Sequence, residues 1–263
     1  MRPESTQQVL AFAHELADVA GAAILPYFRA GAAIENKAEQ GFDPVTAADK
    51  AAEQAMRAKI RAERPEDAIV GEEFDDHVGT SGWTWVLDPI DGTRAFIAGT
   101  TTWGVLIGAR YEDRARIGIM DQPFSGERWA ASPERGFWSR GRARQPLVTR
   151  KKTALDQAIL ATTDPFLFEP HHKQAFLSLR AATRLARYGL DCTAYALLAH
   201  GHIDLVVEPG LKDVDIAALI PIVEAAGGVV TDWHGRHHPK GGDIIAAGCP
   251  ELHAKALALL TNP

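Results

Sequence analysis

The sequence predicts an α/β (α+β) fold, and two patterns along its 263 residues carry that prediction. The first half begins with two amphipathic helical segments, followed by short strands with glycine-containing turns. The second half alternates strands with helices. Both patterns are typical of layered domains in which helices cover sheets. Because the sequence contains no internal repeat and no clear linker, we predict one unit over residues 1–263, with subregions 1–145 and 146–263.

The first subregion is predicted to open with a pair of helices. Residues 5–28 carry apolar side chains at helical spacing after a serine–threonine cap. A second helix over residues 46–62 should stop before Pro65, because the residue preceding a proline avoids helical backbone angles. The stretches AIVGEEF and TWVLDP then predict strands. A hairpin that turns at Glu112 and Asp113 follows them, and further short strands complete an antiparallel sheet.

The second subregion is predicted to be a layered α/β half. Its strands are AILATT, RLARYG, IDLVVEP and VVTDW. Its helices are HHKQAFLSLRAAT, DCTAYALLAHG, DVDIAALIPIVEAAGG and PELHAKALALL, and the third of these should end at Gly227 and Gly228. We interpret the basic stretch RGRARQPLVTRKK, which joins the two subregions, as a solvated connection.

Composition excludes several classes of protein. A net charge of −6 disfavours a general nucleic-acid binder, although metal ions would let an acidic protein bind an anionic substrate. Two cysteines, Cys192 and Cys249, form no disulfide framework and fit a reducing compartment. The first residues do not resemble a signal peptide, and no apolar run reaches about 18 residues. We therefore expect a cytoplasmic protein with no membrane partner.

Acidic side chains occur at the ends of predicted elements in four segments. Glu72 follows a strand and a glycine, Asp88 and Asp91 end the next strand, and Asp49 and Asp215 begin helices. A lone acid in such a position is usually a helix cap, which Asp49 and Asp215 fit well. Asp88 does not fit, because the strand before it would bring its carboxylate near the apolar interior, where an unpaired charge is costly. Clustered oxygen ligands suit Mg²⁺.

The residues between the two strand-end acids favour a shared ion. Pro89 restricts Asp88 to an extended backbone, so the two acids do not lie on one helical face. A turn between them would let Asp88 and Asp91 point to the same cation. The Ile90 carbonyl would then be available as a further oxygen ligand.

Gly92 and Thr93 predict a phosphate site beside this cation. A helix that begins there would present free N–H groups and its positive dipole end to an anion. Metal ions next to such a site indicate phosphoryl transfer. Thr93 would hold or relay a proton from the attacking water, with Asp49 as its partner, or would only cap the helix; spacing alone leaves both alternatives open.

The motifs GEE, DPIDGT and DVDIAALIPIVEAAGGVVTDW together resemble the inositol monophosphatase superfamily of Mg²⁺-dependent, lithium-sensitive phosphatases. The similarity covers nearly the whole chain. It implies a five-layered αβαβα fold, a homodimer and two or three Mg²⁺ ions per active site. The metal ligands that it implies are Glu72, Asp88, the Ile90 carbonyl, Asp91 and Asp215. It also implies that Asp49, Thr93 and Glu72 activate water, and that the Gly92 and Thr93 amides hold phosphate.

The stretch RYGLDCTAYALLAHGHIDLVVEP is similar to the histidinol-phosphate phosphatases of this superfamily. The resemblance implies hydrolysis of L-histidinol phosphate to L-histidinol and phosphate, in histidine biosynthesis, by direct attack of water. This substrate carries an amine and an imidazole, so its pocket needs acids. We expect Asp191 and Glu208 to supply them, with Arg187 binding phosphate or orienting Asp191.

Three alternatives stay open at this point. Sugar hydroxyls also pair well with carboxylates, so an inositol-1-monophosphatase or a broad-specificity sugar phosphatase would tolerate the same pocket. A non-enzymatic relative that binds phosphorylated ligands is a third possibility, although the intact acids argue against a decayed site. One departure affects the substrate prediction: Asp213 and Val214 stand where a proline or tryptophan and an aromatic residue are expected, which changes the wall beside Asp215.

Overall fold

The computed structural model describes residues 5–30, 34–36, 44–151 and 153–261. Within them the helices are α1 (Thr6–Ile24), α2 (Ala47–Glu63), α3 (Thr93–Ile97), α4 (Pro170–Ala182), α5 (Cys192–Ala199), α6 (Asp213–Ile216), α7 (Leu219–Ala225) and α8 (Pro250–Thr261). The strands are β1 (Ile34–Asn36), β2 (Pro44–Thr46), β3 (Ala68–Gly71), β4 (Trp83–Asp91), β5 (Gly104–Tyr111), β6 (Arg114–Gln122), β7 (Glu127–Ser132), β8 (Arg135–Arg140), β9 (Ala143–Pro146), β10 (Ile159–Thr162), β11 (Leu185–Tyr188), β12 (Leu205–Leu211), β13 (Val229–Asp232) and β14 (Gly242–Ala247).

The two N-terminal helices form as predicted, and each begins with a capping box. Ser5 caps α1 and exchanges hydrogen bonds with Gln8. Thr46 caps α2 and exchanges them with Asp49. These reciprocal bonds satisfy backbone donors that have no partner inside the helix. The apolar faces of both helices pack on the same sheet.

Strands β3 to β9 form a seven-stranded sheet in sequence order. It is antiparallel except for β3, which lies parallel to β4. The predicted hairpin is β5–β6, and its turn residues Glu112 and Asp113 have φ values of 48° and 66°. Two successive left-handed residues match the right-handed twist of the flanking strands, which is why such turns are common in tight hairpins.

The second sheet has five strands in the order β11-β10-β12-β14-β13. Strand β10 is parallel to both of its neighbours, whereas β14 is antiparallel to β12 and β13. Strand β14 had no counterpart among the sequence-based predictions. Its apolar run covers only residues 244–247 and follows two glycines, so the sequence around it is typical of a loop.

One predicted helix is divided in the structure. The segment DVDIAALIPIVEAAGG forms α6 and α7 rather than one continuous helix. Pro221 has no N–H to donate to the Ala217 carbonyl, so the hydrogen-bonded ladder is interrupted there. The C-terminal end is as predicted, because Gly227 takes a φ of 92° and the Gly228 N–H bonds back to the Val223 carbonyl.

The hydrophobic clusters show five layers. Helices α1 and α2 cover the outer face of the seven-stranded sheet. Helices α5, α6 and α7 fill the space between the two sheets, and α4 and α8 cover the outer face of the five-stranded sheet. The predicted αβαβα architecture is therefore confirmed. In the described ranges, none of the helices has an apolar stretch that could cross a bilayer.

Candidate active site

Three carboxylates from two elements meet at the end of β4. Asp88 and Asp91 lie in the last part of that strand, Asp215 lies on α6, and each offers an oxygen within 4.8 Å of the other two. Regular strand geometry would turn residues three apart to opposite faces. The pairing of β4 with β5 slips between Asp88 and Asp91, and this bulge lets both side chains join one cluster.

The cluster is electrostatically unfavourable without a cation. Burial raises the pKa of Asp88 well above its ordinary value, and the nearby Glu72 charge raises it further. Burial also raises the pKa of Asp91, against the hydrogen bond that the Cys192 amide donates to its Oδ2 at 2.7 Å. The pKa of Asp215 rises to about 6, again chiefly by burial. A bound divalent cation would offset these costs.

Glu72 lies at the edge of this cluster. It follows β3 directly, and its charge acts on both Asp88 and Asp215. Its Oε1 accepts a hydrogen bond from the Lys212 ammonium at 3.0 Å. Lys212 was not among the residues predicted from sequence, since its contact with Glu72 joins positions 140 apart in the chain.

Asp49 combines a structural role with a place near the cluster. It is 1% exposed, and its Oδ2 accepts hydrogen bonds from the Thr46 amide at 2.8 Å and the Thr46 hydroxyl at 2.6 Å. Its charge also raises the pKa of Asp88. Asp215 is placed similarly on α6, where it accepts from the Lys212 amide at 2.6 Å. Both acids thus occupy the third helical position, where each accepts a hydrogen bond from the backbone amide of the N-cap residue, rather than the cap itself.

Gly92 and Thr93 begin helix α3 as predicted. Gly92 has a φ of 82°, and a Cβ there would lie 3.0 Å from the Thr102 carbonyl and 3.1 Å from the Asp191 Cβ. Both the backbone angle and the close packing therefore require glycine. The Thr93 hydroxyl donates a hydrogen bond to the Ile90 carbonyl at 3.1 Å, which ties the helix start to the bulge.

Asp191 stands against Gly92 in an unusual conformation. Its φ of 46° and ψ of −138° lie outside the regions that residues with a Cβ normally occupy. Such strain concentrates at functional sites. Burial raises the pKa of Asp191 to about 6, and the positive charge of Arg94 opposes that rise. Arg94, which was not among the residues predicted from sequence, thus acts on Asp191.

The other two predicted substrate residues lie on β12 and β11, the two strands that flank β10. Glu208 on β12 is 2% exposed, and its carboxylate accepts hydrogen bonds from the Thr163 amide at 2.8 Å, the Thr163 hydroxyl at 3.0 Å and the Thr162 hydroxyl at 3.3 Å. Burial raises its pKa to about 8. Arg187 is exposed on the edge strand β11.

A model of the inositol monophosphatase family matches residues 5–262. The chain belongs to this family. The solved structure of an inositol monophosphatase from Zymomonas mobilis is 44% identical and superposes with a TM-score of 0.86, covering 98% of this chain and 99% of that one.

The curated relatives of this family member include two phosphatases that match it over nearly its whole length. The chloroplastic bifunctional phosphatase IMPL2 of Arabidopsis thaliana is 39% identical over 261 residues, which cover 95% of this chain and 74% of the relative. The histidinol-phosphatase of Chlorobaculum parvum is 34% identical over 254 residues, which cover 96% of each chain. The chain is thus a phosphatase.

The inositol monophosphatase family is metal-dependent, and the acidic cluster fits a metal ion. Its donor atoms are carboxylate oxygens, which a hard divalent cation prefers. The raised pKa values of Asp88 and Asp91 also favour a bound cation, because burial makes their negative charges costly unless a positive charge compensates them.

The sequence departure beside Asp215 has a structural explanation in this family member. Asp213 uses both carboxylate oxygens to pair with the guanidinium of Arg110, which is 5% exposed on β5. An ion pair thus stands where an apolar wall was expected. The two residues are 103 positions apart, so no local pattern indicates the contact.

Proposed function

We propose that this phosphatase is a Mg²⁺-dependent phosphomonoesterase that hydrolyses L-histidinol phosphate to L-histidinol and phosphate, in histidine biosynthesis. The observation that carries the substrate assignment is Asp191, whose backbone is strained and whose side chain packs on Gly92 beside the acidic cluster. A partly buried acid at that point would recognise the cationic amine of histidinol phosphate. The similarity to the histidinol-phosphatase of Chlorobaculum parvum supports the same assignment.

The proposed metal centre holds two or three Mg²⁺ ions. Its proposed ligands are Glu72, Asp88, the Ile90 carbonyl, Asp91 and Asp215. When bound, Mg²⁺ would polarise the phosphoryl oxygens, stabilise the leaving oxygen and lower the pKa of water. The support from this chain is the all-oxygen cluster and the bulge that turns Asp88 and Asp91 together.

The proposed reaction is direct attack of water on phosphorus, without a phosphoenzyme. Thr93 and Asp49, aided by Glu72, would orient the water and take up its proton. The Thr93 hydroxyl already donates to the Ile90 carbonyl, which leaves its oxygen lone pairs able to accept a hydrogen bond. The backbone amides of Gly92 and Thr93 at the start of α3 would hold the phosphate.

The proposed substrate pocket lies across from the metal ligands. Asp191 would accept a hydrogen bond from the substrate amine, and the Arg94 charge favours the ionised form that this requires. We assign Glu208 to the same pocket, since its charge and that of Asp191 act on each other. Arg187 pairs in register with Ala161 on β10, one residue before the threonines that hold Glu208, and we assign it to the phosphate side.

The second candidate is an inositol-1-monophosphatase or a broad sugar phosphatase, which the similarity to the Zymomonas mobilis inositol monophosphatase favours. A ligand-binding regulator without activity is a weaker candidate, since the acids of the cluster are all present. We further propose that the enzyme is a cytoplasmic homodimer and that residues 1–263 form one unit.

The specificity constants for histidinol phosphate and inositol-1-phosphate, measured with Mg²⁺ and with EDTA as control, separate these candidates. We expect kcat/KM to be at least about tenfold higher for histidinol phosphate, the effect of one charge-assisted hydrogen bond. A preference for inositol-1-phosphate would overturn the substrate assignment. The absence of Mg²⁺-dependent phosphate release from either ester would overturn the proposed metal-dependent activity.

A further inference from the structure

A buried ion pair on α2 lies behind the turn that carries Glu72. Glu53 and Arg57 are one helical turn apart, and their side chains are 0% and 3% exposed. The Arg57 Nε donates to the Glu53 Oε1 at 2.7 Å. We refer to these two side chains as the Glu53–Arg57 clamp. Nothing in the proposed reaction uses either of them directly.

The clamp holds the backbone of the turn at four consecutive residues. The Glu53 Oε2 accepts hydrogen bonds from the Glu72 amide at 3.1 Å and the Glu73 amide at 2.9 Å. Arg57 donates to the carbonyl of Phe74 at 2.8 Å and to that of Asp75 at 3.0 Å. Residues 72–75 lie beyond β3 and belong to no helix or strand, so these side chains supply the bonds that a sheet would otherwise give.

Gly71 shows how closely the clamp fits the backbone. A Cβ at this position would lie 2.0 Å from the Glu53 Oε1 and 2.6 Å from an Arg57 guanidinium nitrogen. Gly71 has no positive φ, so the requirement for glycine is steric rather than conformational. The last residue of β3 therefore rests directly on the ion pair.

We propose that Glu53 is a positioning residue for the metal site: it fixes the backbone of Glu72 so that the Glu72 carboxylate faces Asp88 and Asp215. This inference rests on the proposed role of Glu72 as a metal ligand. Stability alone does not explain a buried ion pair, because apolar residues of similar size often stabilise the fold as much as the pair does. Groups that orient metal ligands, by contrast, typically contribute about tenfold to a hundredfold in metal affinity.

Mg²⁺ titration of the full chain by calorimetry tests the proposal, with Glu53→Gln, Glu72→Gln and the double variant. We expect Glu53→Gln to weaken Mg²⁺ binding by about tenfold. In the Glu72→Gln background it should add little further loss, since the effect passes through Glu72. Glu63→Gln is the matched control, because Glu63 lies on the same helix and pairs with Lys59 instead.

Amide hydrogen exchange in the metal-free protein gives a readout without metal or activity. Glu53→Gln should speed exchange at Glu72 and Glu73, and Glu63→Gln should not. Gly71→Ala is the second variant, since its methyl group displaces Glu53 without changing the charge, and it should weaken Mg²⁺ binding in the same direction. It also keeps the test available should Glu53→Gln fail to fold.

The two possible failures are distinguishable. A loss of Mg²⁺ affinity in Glu72→Gln, but not in Glu53→Gln or Gly71→Ala, would overturn the positioning role alone. Equal losses for Glu53→Gln with and without Glu72 would do the same. An unchanged Mg²⁺ affinity in Glu72→Gln would overturn the ligand assignment of Glu72, and the positioning proposal with it.

Discussion

The acidic cluster and the substrate side of the site are built in different ways. Asp88 and Asp91 are three residues apart on one strand end, and the neighbouring backbone bulge brings them together. Asp191 and Glu208 come from separate elements, and their environments depend on Arg94 and Thr163, which are distant in sequence. The comparison indicates that a short local motif can specify the chemistry, whereas specificity requires the assembled fold.

The largest effect should come from the acidic cluster. Asp88→Asn is expected to lower kcat/KM for every phosphate ester by about a thousandfold, as removal of a group that stabilises developing charge does. Without metal, the variant should melt at the same or a higher temperature, because it removes a buried charge. Thermal melts with and without Mg²⁺ check this, with the exposed Asp156→Asn as control. Near-normal rates would refute the ligand role of Asp88.

A smaller and selective effect should come from the substrate side. Asp191→Asn is expected to lower kcat/KM for histidinol phosphate by roughly tenfold to a hundredfold, the value of a charge-assisted hydrogen bond. An aryl phosphate without an amine should be hydrolysed almost normally. Equal losses for both substrates would make Asp191 part of the common machinery and remove the contrast between the two regions.

The Asp191→Gly substitution separates the effect of the strained backbone from that of the carboxylate charge, because it removes both whereas Asp191→Asn removes only the charge. Asp191→Gly should lose the same selectivity while raising the free energy of unfolding by about 1 kcal/mol, because glycine adopts the observed backbone angles without strain. Chemical denaturation of this variant beside Asp191→Asn measures the difference. Equal stabilities would mean that the conformation carries no strain.

The Arg110–Asp213 ion pair beside Asp215 should contribute to stability. Asp213→Asn leaves the Arg110 guanidinium buried without its partner and should lower the free energy of unfolding by about 2 kcal/mol. Asp113→Asn breaks an exposed pair with Lys240 and should change stability by less than about 0.5 kcal/mol. Urea denaturation of both variants makes the comparison. Equal effects would show that burial of Arg110 is unimportant.

The last prediction concerns the dependence of stability on pH. A carboxyl whose folded pKa is raised above its unfolded value stabilises the fold at low pH, and this contribution is lost as pH rises through the folded pKa. The pKa of Glu208 is raised to about 8, so metal-free protein should become less stable between about pH 5 and 8. Mg²⁺ should restore the stability that is lost through ionisation of the acidic cluster. The Glu208→Gln substitution should abolish the loss that is due to Glu208. Melting temperatures across this range, with and without Mg²⁺, measure both parts; a flat profile in metal-free protein would contradict them.

Local patterns in the sequence predict much of the fold and of the acidic cluster. Helix periodicity, capping residues and the buried strand before Asp88 all depend on neighbours in the chain, and the predicted layers are confirmed. Strand β14 escaped prediction because glycines and a polar loop precede its short apolar run. The Arg110–Asp213 pair and the Cys192 amide on Asp91 escaped it because each contact joins residues about a hundred positions apart.

Crystals grown with Mn²⁺ in place of Mg²⁺ would locate the proposed metal ions, because manganese gives an anomalous scattering signal. We expect two or three manganese peaks in contact with the proposed ligands, which are Asp88, Asp91, Asp215, Glu72 and the Ile90 carbonyl. Soaked phosphate should lie between these ions and the Gly92 and Thr93 amides. Manganese bound elsewhere, with this cluster free of metal, would refute the proposed metal site.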